Sequence, residues 1–432
     1  MRRTGILGLV VATAFTCLAG TPAHAVSRSA GISTRHPAES RRARAAAVVH
    51  HAEASTKTHI HASTAAAGRA TRRGVARTEA AGHRVAVAGR AVAIRARRFG
   101  ERFTASSINY NIADGDITAG EDPVVRAAAI EALGNLNGTA LAIDPSSGRI
   151  LAMVNQKLAL SSGAEPCSTI KVAVALSALS EGLIKADTPV NLGGHYSLDL
   201  THALAKSVNL YFEVLGRAMG FERVKHYANE FGLGELAGYN IAGEQLGTYP
   251  DTELPAAAGG VGRMCSFGES ISMTPLQLGA LVSAIANGGT LYYLQHPTSP
   301  EELANFEPKV KRILDIKNAI PEILPGMEGA VNFSNGTARS LRQNFIQFPV
   351  FGKTGTCSNN GTRFGWFVSY GDSPTGRIVT VIFLEGDRAV FGPRAAELTG
   401  EFYKAMYEHN YFAPKPATTT TASMTTPTTP AH

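Results

Sequence analysis

The sequence predicts a mixed α/β fold of the α+β type, in which an antiparallel sheet is covered by helices and flanked by an all-helical subdomain. Three observations point there. Residues 139–143 and 149–154 are short apolar runs around Asp144-Pro145-Ser146-Ser147-Gly148, a turn with proline and glycine where a hairpin needs them. Near the C-terminal end, residues 350–357, 365–370 and 378–384 are rich in β-branched and aromatic residues and read as three strands. Between these groups lie apolar stretches of helical length, over residues 171–184 and 275–286.

In chain order, residues 1–25 read as a secretory signal. Arg2-Arg3 precede an apolar stretch from Ile6 to Ala19, and Ala23-His24-Ala25 offers a cleavage point. The apolar run is short for a membrane span, and an uncleaved anchor is the alternative. Residues 26–105 are Ala, Arg, His, Ser and Thr with few large apolar residues, which predicts a disordered basic leader. Its His50, His51, His59 and His61 match no metal-ligand spacing, and a solvated tail is the expectation. The leader carries net +12, residues 1–25 carry +2, and residues 106–432 carry −7, so the formal +7 of the whole 432-residue chain misrepresents the folded part. A nucleic-acid partner inferred from the basic whole-chain charge is therefore excluded. A positive tether fits an anionic envelope surface instead.

Residues 106–412 read as one catalytic domain and 413–432 as a disordered Thr/Pro-rich tail. Within the domain, residues 200–216 read as one helix, and 395–409 as a closing helix. Thr274-Pro275 supplies an N-cap and first helical residue, with Asn287-Gly288-Gly289 as the stop. Residues 297–325 form a charged insertion.

The chemistry centres on Glu165-Pro166-Cys167-Ser168-Thr169-Ile170-Lys171. Pro166 disfavours helix before it, and Ser168 and Thr169 are helix-start residues. Ser168 and Lys171 lie three apart and share a helix face. A lysine in a partly dry position loses solvation of its charge, and its pKa falls toward that of a useful base. The result is a serine nucleophile activated without histidine. Glu269 is a remote candidate for the base beside Lys171.

S-x-x-K alone arises by chance about once or twice in a chain this long. Here it is followed, in order, by Ser207-Val208-Asn209 and by Lys353-Thr354-Gly355-Thr356. With residues 140–155, 205–212, 231–234, 238–244, 272–289, 336–338 and 366–368, these motifs resemble the transpeptidase domain of penicillin-binding proteins, over residues 105–410. The resemblance implies that Ser168 attacks a D-alanyl-D-alanine stem peptide to form an acyl-enzyme. It implies that Ser207 relays a proton to the leaving amine and that Asn209 holds the substrate amide. Lys353 adds positive charge beside the nucleophile, and Thr354, Gly355 and Thr356 bind substrate. The N–H groups of Ser168 and Thr356 form an oxyanion hole, where one donor is worth about 3 kcal/mol of barrier.

The expected partners are peptidoglycan stem peptides, with β-lactams as inhibitors. No nucleic acid, metal or cofactor is expected. Localisation is expected beyond the cytoplasmic membrane, in the periplasm or held near the membrane. A class D-like β-lactamase, a D,D-carboxypeptidase and a slow-turnover β-lactam sensor are the alternatives. No glycosyltransferase region precedes the domain, and the interval from Ser168 to Ser207 is short for large members of the family.

Removal of the signal takes Cys17 with it and leaves Cys167, Cys265 and Cys357 in a compartment where thiols pair. If Ser168 and Thr356 share one oxyanion, Cys167 and Cys357 come close enough for a disulfide. Closing so long a loop is worth about 4–5 kcal/mol in the chain-entropy account. Strand alternation turns Cys357 away from Thr356, which leaves pairing with Cys265 open, as well as three buried free thiols.

Overall fold

The structure, a computed structural model, describes residues 101–414. The signal, nearly all of the basic leader and most of the C-terminal tail lie outside the described residues. No described helix is long and apolar enough to cross a membrane.

A five-stranded sheet forms the frame. Its strands are β1 (Gly138–Asp144), β2 (Arg149–Val154), β3 (Val350–Asn359), β4 (Thr362–Ser373) and β5 (Gly376–Gly386). The order across the sheet is β2-β1-β5-β4-β3, antiparallel throughout, so β3 is an edge strand. Thr354 pairs with Phe367 and Gly355 with Trp366 on β4.

Side chains alternate between two buried faces, which is why the strands are apolar runs. Ala140, Ala142, Phe367 and Ile382 enter one core, and Leu141, Ile143, Val381 and Phe383 the other. Helices α1 (Pro123–Leu133) and α9 (Gly392–Glu408) cover the first face. The second face is covered by α7 (Pro275–Asn287), which is buried almost all round. Thr274 caps α7 in a reciprocal capping box with Gln277, and Gly288 ends it at φ +95°, as Thr274-Pro275 and Asn287-Gly288 predict.

Beyond α7 sits the helical part. It contains α2 (Lys171–Ser180), α3 (Leu200–Ala205), α4 (Asn209–Met219), α5 (Phe221–Glu230), α6 (Gly260–Phe267) and α8 (Ile320–Asn332). A four-residue 3₁₀ turn, Cys167–Ile170, leads into α2. Nearly every residue of α2 is buried, as expected for an apolar helix in the middle of a domain.

Two sequence expectations are corrected. Residues 200–216 are two helices, broken where Ser207 takes φ +57° and Val208 bonds back to Ala203 O. That left-handed residue interrupts the helical ladder and restarts it at Asn209. The charged stretch 297–325, to which the sequence assigns no elements, contains a helix at Pro300–Ala304 and the strand Val310–Ile313 paired with Thr290–Tyr292, and α8 begins before its end. At the N-terminal side, the Thr104 amide bonds to Gly361 O at 2.9 Å, so contacts with the sheet begin before residue 106.

Of the pairings left open for the cysteines, the structure has Cys167–Cys357, with Cα atoms 5.5 Å apart. Strand alternation produces this result. Thr356 turns toward the start of α9, where its Oγ1 accepts from the Gly392 amide at 2.7 Å. Cys357 consequently faces the helical side, where the 3₁₀ turn lies. Cys265 is a buried free thiol, its pKa pushed up to about 12 by burial.

Cys265 packs against Gly216 of α4, and this contact is what joins α4 to α6. A Cβ at Gly216 would lie 2.6 Å from Cys265 Sγ and 3.2 Å from Val261 O. Gly216→Ala is therefore expected to lower unfolding stability by about 1–3 kcal/mol through overpacking, despite the better helix propensity of alanine. Adding Cys265→Ala, which removes Sγ but leaves the Cys265 Cβ 2.8 Å from the new methyl, should recover only part of the loss, as read by denaturant titration of all four members of the cycle. Additive losses would show that Cys265 is not the obstacle.

Candidate active site

Ser168 is the second residue of the 3₁₀ turn and is half-buried, while Cys167 before it has φ +52°. One turn on, Lys171 is completely buried at the start of α2. Its Nζ lies 2.5 Å from Ser168 Oγ, 2.7 Å from Asn209 Oδ1 and 2.6 Å from the carbonyl oxygen of Ser266. Asn209 is the first residue of α4, and Ser266 is the penultimate residue of α6. Three segments thus converge on one nitrogen. The rings of Phe212 and Phe267 stand 5.6 and 6.0 Å from it and keep the surroundings dry.

All three close partners of Lys171 are neutral oxygens. Burial holds its pKa well below the usual lysine range, and the nearby charge of Lys353 lowers it further against an opposing pull from Glu213. Lys353, on β3, is also fully buried. Its Nζ donates to Ser207 Oγ at 2.9 Å and to Thr354 O at 3.0 Å, and burial lowers its pKa to about 7. The left-handed kink at Ser207 is what turns that hydroxyl toward the strand.

The remaining strand residues flank this pair. Thr354 Oγ1 donates to Thr337 Oγ1 at 2.7 Å. Gly355 crosses the 3₁₀ turn so closely that a Cβ there would lie 2.8 Å from Pro166 O and 3.1 Å from Thr169 Cγ2, which requires glycine. Thr356 is exposed at the open edge of β3. The Trp366 indole N–H donates to Glu165 O at 3.0 Å, a second tie between sheet and turn.

The sequence-predicted residues therefore gather into two linked sets, Ser168–Lys171–Asn209 and Ser207–Lys353, beside Thr354, Gly355 and Thr356. Glu269 does not join them. It is paired with Arg263 at 2.6 Å, and the titratable group in contact with Ser168 Oγ is Lys171.

Two features carried no signal in the side-chain pattern. The Ser266 carbonyl is a backbone group, and Thr337 lay within a matched segment with no role attached to it. Glu165 has its carboxyl pushed up to about 7 by burial and by Glu269, with Arg263 opposing. A cleft of about 760 Å³, lined by Tyr239, His296 and Glu302 among others, contains none of these residues. Among the described residues, no three His, Cys, Asp or Glu side chains are grouped to hold a metal ion.

Comparison with known proteins agrees with this arrangement. Residues 138–406 match the family described as penicillin binding protein transpeptidase domain. The chain is similar to stage V sporulation protein D of Bacillus subtilis, 28% identical over 260 residues that cover 50% of this chain and 39% of the relative. It is similar to peptidoglycan D,D-transpeptidase FtsI of Escherichia coli, 25% identical over 289 residues that cover 56% of this chain and 48% of the relative. The matches thus span less than half the length of these two relatives. In fold it resembles the TP domain of Burkholderia pseudomallei penicillin-binding protein 3, with a TM-score of 0.57 at 20% identity, over 69% of this chain and 98% of that one. The matched region runs from the first strand of the sheet through most of its last helix and includes all three motifs, and the chain belongs to the penicillin binding protein transpeptidase domain family.

Proposed function

We infer that the protein is a peptidoglycan D,D-transpeptidase that acts through a Ser168 acyl-enzyme. The observation that carries this is the surroundings of Lys171 Nζ. A neutral amine has two N–H donors and one lone pair. Asn209 Oδ1 and Ser266 O accept both donors, so the lone pair is directed at the Ser168 hydroxyl 2.5 Å away. Burial holds the pKa of this amine well below the usual lysine range, which favours its neutral form. A serine that faces a fixed, unprotonated acceptor is an activated nucleophile.

In this mechanism Lys171 takes the Ser168 proton as Oγ attacks the carbonyl of the penultimate D-alanine. The oxyanion is received by the N–H groups of Ser168 and Thr356. The proton taken up by Lys171 reaches the departing amine by way of the Ser207 hydroxyl, while Lys353, which keeps its own proton, orients that hydroxyl and, with the hydroxyls of Thr354 and Thr356, holds the terminal carboxylate. A second stem peptide's amine then takes the acyl group, and D-alanine has already left. Gly355 lets the substrate backbone lie along the edge strand. β-lactams enter the same path and stop at the acyl-enzyme. The secretory pattern of residues 1–25 and the basic leader fit work on the outer side of the cytoplasmic membrane.

A fluorescent penicillin should label Ser168 alone, and Ser168→Ala should abolish the label. Label that survives the substitution refutes the assignment. Lys171→Ala should slow acylation by about 10²–10⁴-fold, the usual worth of a positioned general base, with the fold retained. Mass spectrometry of products from a pentapeptide muropeptide separates cross-linking from trimming, and turnover of the penicillin itself indicates a β-lactamase.

The pH dependence follows from the two lysines. Acidification protonates Lys171 and removes the base, so the second-order acylation constant should fall on the acid side. Raising the pH through about 7 deprotonates Lys353 in the free enzyme and weakens carboxylate binding and proton delivery, giving an alkaline fall. Lys353→Arg, which stays charged, should lose that alkaline limb while keeping the acid one. An unchanged alkaline limb would assign it to another group.

A further inference from the structure

We propose that the Cys167–Cys357 disulfide positions the two oxyanion donors, and that acyl transfer at Ser168 therefore depends on the redox state of this pair. The inference rests on the acyl-transfer reading above and extends it. The two cysteines are placed one on each side of the site. Cys167 directly precedes Ser168, so its backbone torsions set the peptide plane that carries the Ser168 N–H. Cys357 directly follows Thr356, whose N–H is the second donor. One covalent link, with Cα atoms 5.5 Å apart, joins the neighbours of both donors.

The surroundings show why a tie is needed there. Cys167 has φ +52°, a left-handed backbone that residues with a Cβ rarely adopt and relax out of when released. β3 lies at the sheet edge, with β4 as its neighbour on one side. Lys353, Thr354 and Gly355 are buried, but from Thr356 to Asn359 the strand is exposed or half-exposed, held by its ladder with β4 and by the Gly392–Thr356 hydrogen bond rather than by a tie to the turn that carries Ser168. Other ties between turn and sheet include the Trp366–Glu165 hydrogen bond and the close approach of Gly355 to Pro166 and Thr169, none of them covalent. An oxyanion hole works only when its donors already stand where charge develops, so a loosened strand end costs rate.

The bond is also accessible from one side. Cys167 is 1% exposed, whereas Cys357 is half-exposed. A thiolate of a dithiol reductant attacks the Cys357 sulfur. The S–S bond breaks, and Cys167 leaves as a thiolate that takes a proton from water. The reductant's second thiol then displaces Cys357 and closes its own disulfide, so two electrons and two protons pass to the protein. The buried Cys265 takes no part.

The test compares acylation by a fluorescent penicillin in the oxidised full-length protein, in the same protein reduced with dithiothreitol, and after reoxidation. Peptide mapping with an alkylating agent records the state of Cys167 and Cys357, and near-ultraviolet circular dichroism records the fold. The expected result is a fall of about 10²-fold in the bond-forming rate on reduction, with the dissociation constant of the initial complex unchanged and the rate restored by reoxidation. Cys357→Ser should show the same fall and ignore dithiothreitol. Cys167→Gly/Cys357→Ser, in which glycine adopts the left-handed backbone freely, should stay slow because the tether is still missing. A reduced, folded protein that acylates at the oxidised rate overturns the inference, as does a double variant with full activity. A rate loss that tracks loss of the folded signal overturns it in favour of a purely structural staple. An oxidised protein that never acylates overturns the acyl-transfer reading and this inference together, whereas equal rates in both states overturn this inference alone.

Discussion

The burial of Lys171 among neutral oxygens is the constraint on which the rest of the site depends. A charged ammonium in that position would have no anion in contact with it, and taking such a charge out of water is costly enough to outweigh the more distant pull of Glu213 and favour the neutral amine. The neutral amine then needs two acceptors for its N–H groups, since a buried unsatisfied donor carries its own penalty. Asn209 at the start of α4 and the Ser266 carbonyl at the end of α6 meet that need. The apolar composition of α2 is what makes the position dry, and the break before α4 is what brings Asn209 to it. Helix packing and acid–base chemistry are therefore the same arrangement seen at two scales.

Lys353 extends the argument across to the sheet. It is buried on β3, and its charge and that of Lys171 disfavour one another. Two such groups favour a state in which one carries the proton and the other does not, a division of labour between acid and base that environment alone imposes. Ser207 belongs with Lys353 because of the positive φ that ends α3, a conformation in which serine is strained and which persists only where the surroundings over-determine it. Here the surroundings are the back-bond of Val208 to Ala203 and the hydrogen bond from Lys353.

Most of the frame was legible because it follows from local rules. The hairpin of β1 and β2 announces itself by its turn, the three C-terminal strands by β-branched and aromatic runs, and α7 by Thr274-Pro275 and Asn287-Gly288. The site residues were legible as types at fixed spacing, since Ser168 and Lys171 need only one helical turn to meet. The missing parts are those that local rules do not reach. A carbonyl such as that of Ser266 has no sequence signature. The kink at Ser207 lies in a stretch whose composition suits a continuous helix, and contacts across to β3 override that preference. Cysteine pairing stayed open because it depends on which face of β3 meets the turn, and this is fixed by the tertiary placement of Gly392 against Thr356.

The turn that carries Ser168 shows how closely stability and chemistry are bound together. A left-handed residue directly before Ser168 costs on the order of 1–3 kcal/mol when it is not glycine. The chain has cysteine there, and uses the same side chain to tie the turn to β3. Strain and restraint thus reside in one residue: the backbone that presents Ser168 is unfavourable by itself, and the link that makes it tolerable runs to the residue after Thr356. Glycine at 355 then becomes obligatory, because the tie pulls turn and strand so near that Pro166 O occupies the space of a Cβ. From Cys167 to Cys357 the local irregularities explain one another, each being the condition for a site in which a serine, a dry lysine and the end of an edge strand meet.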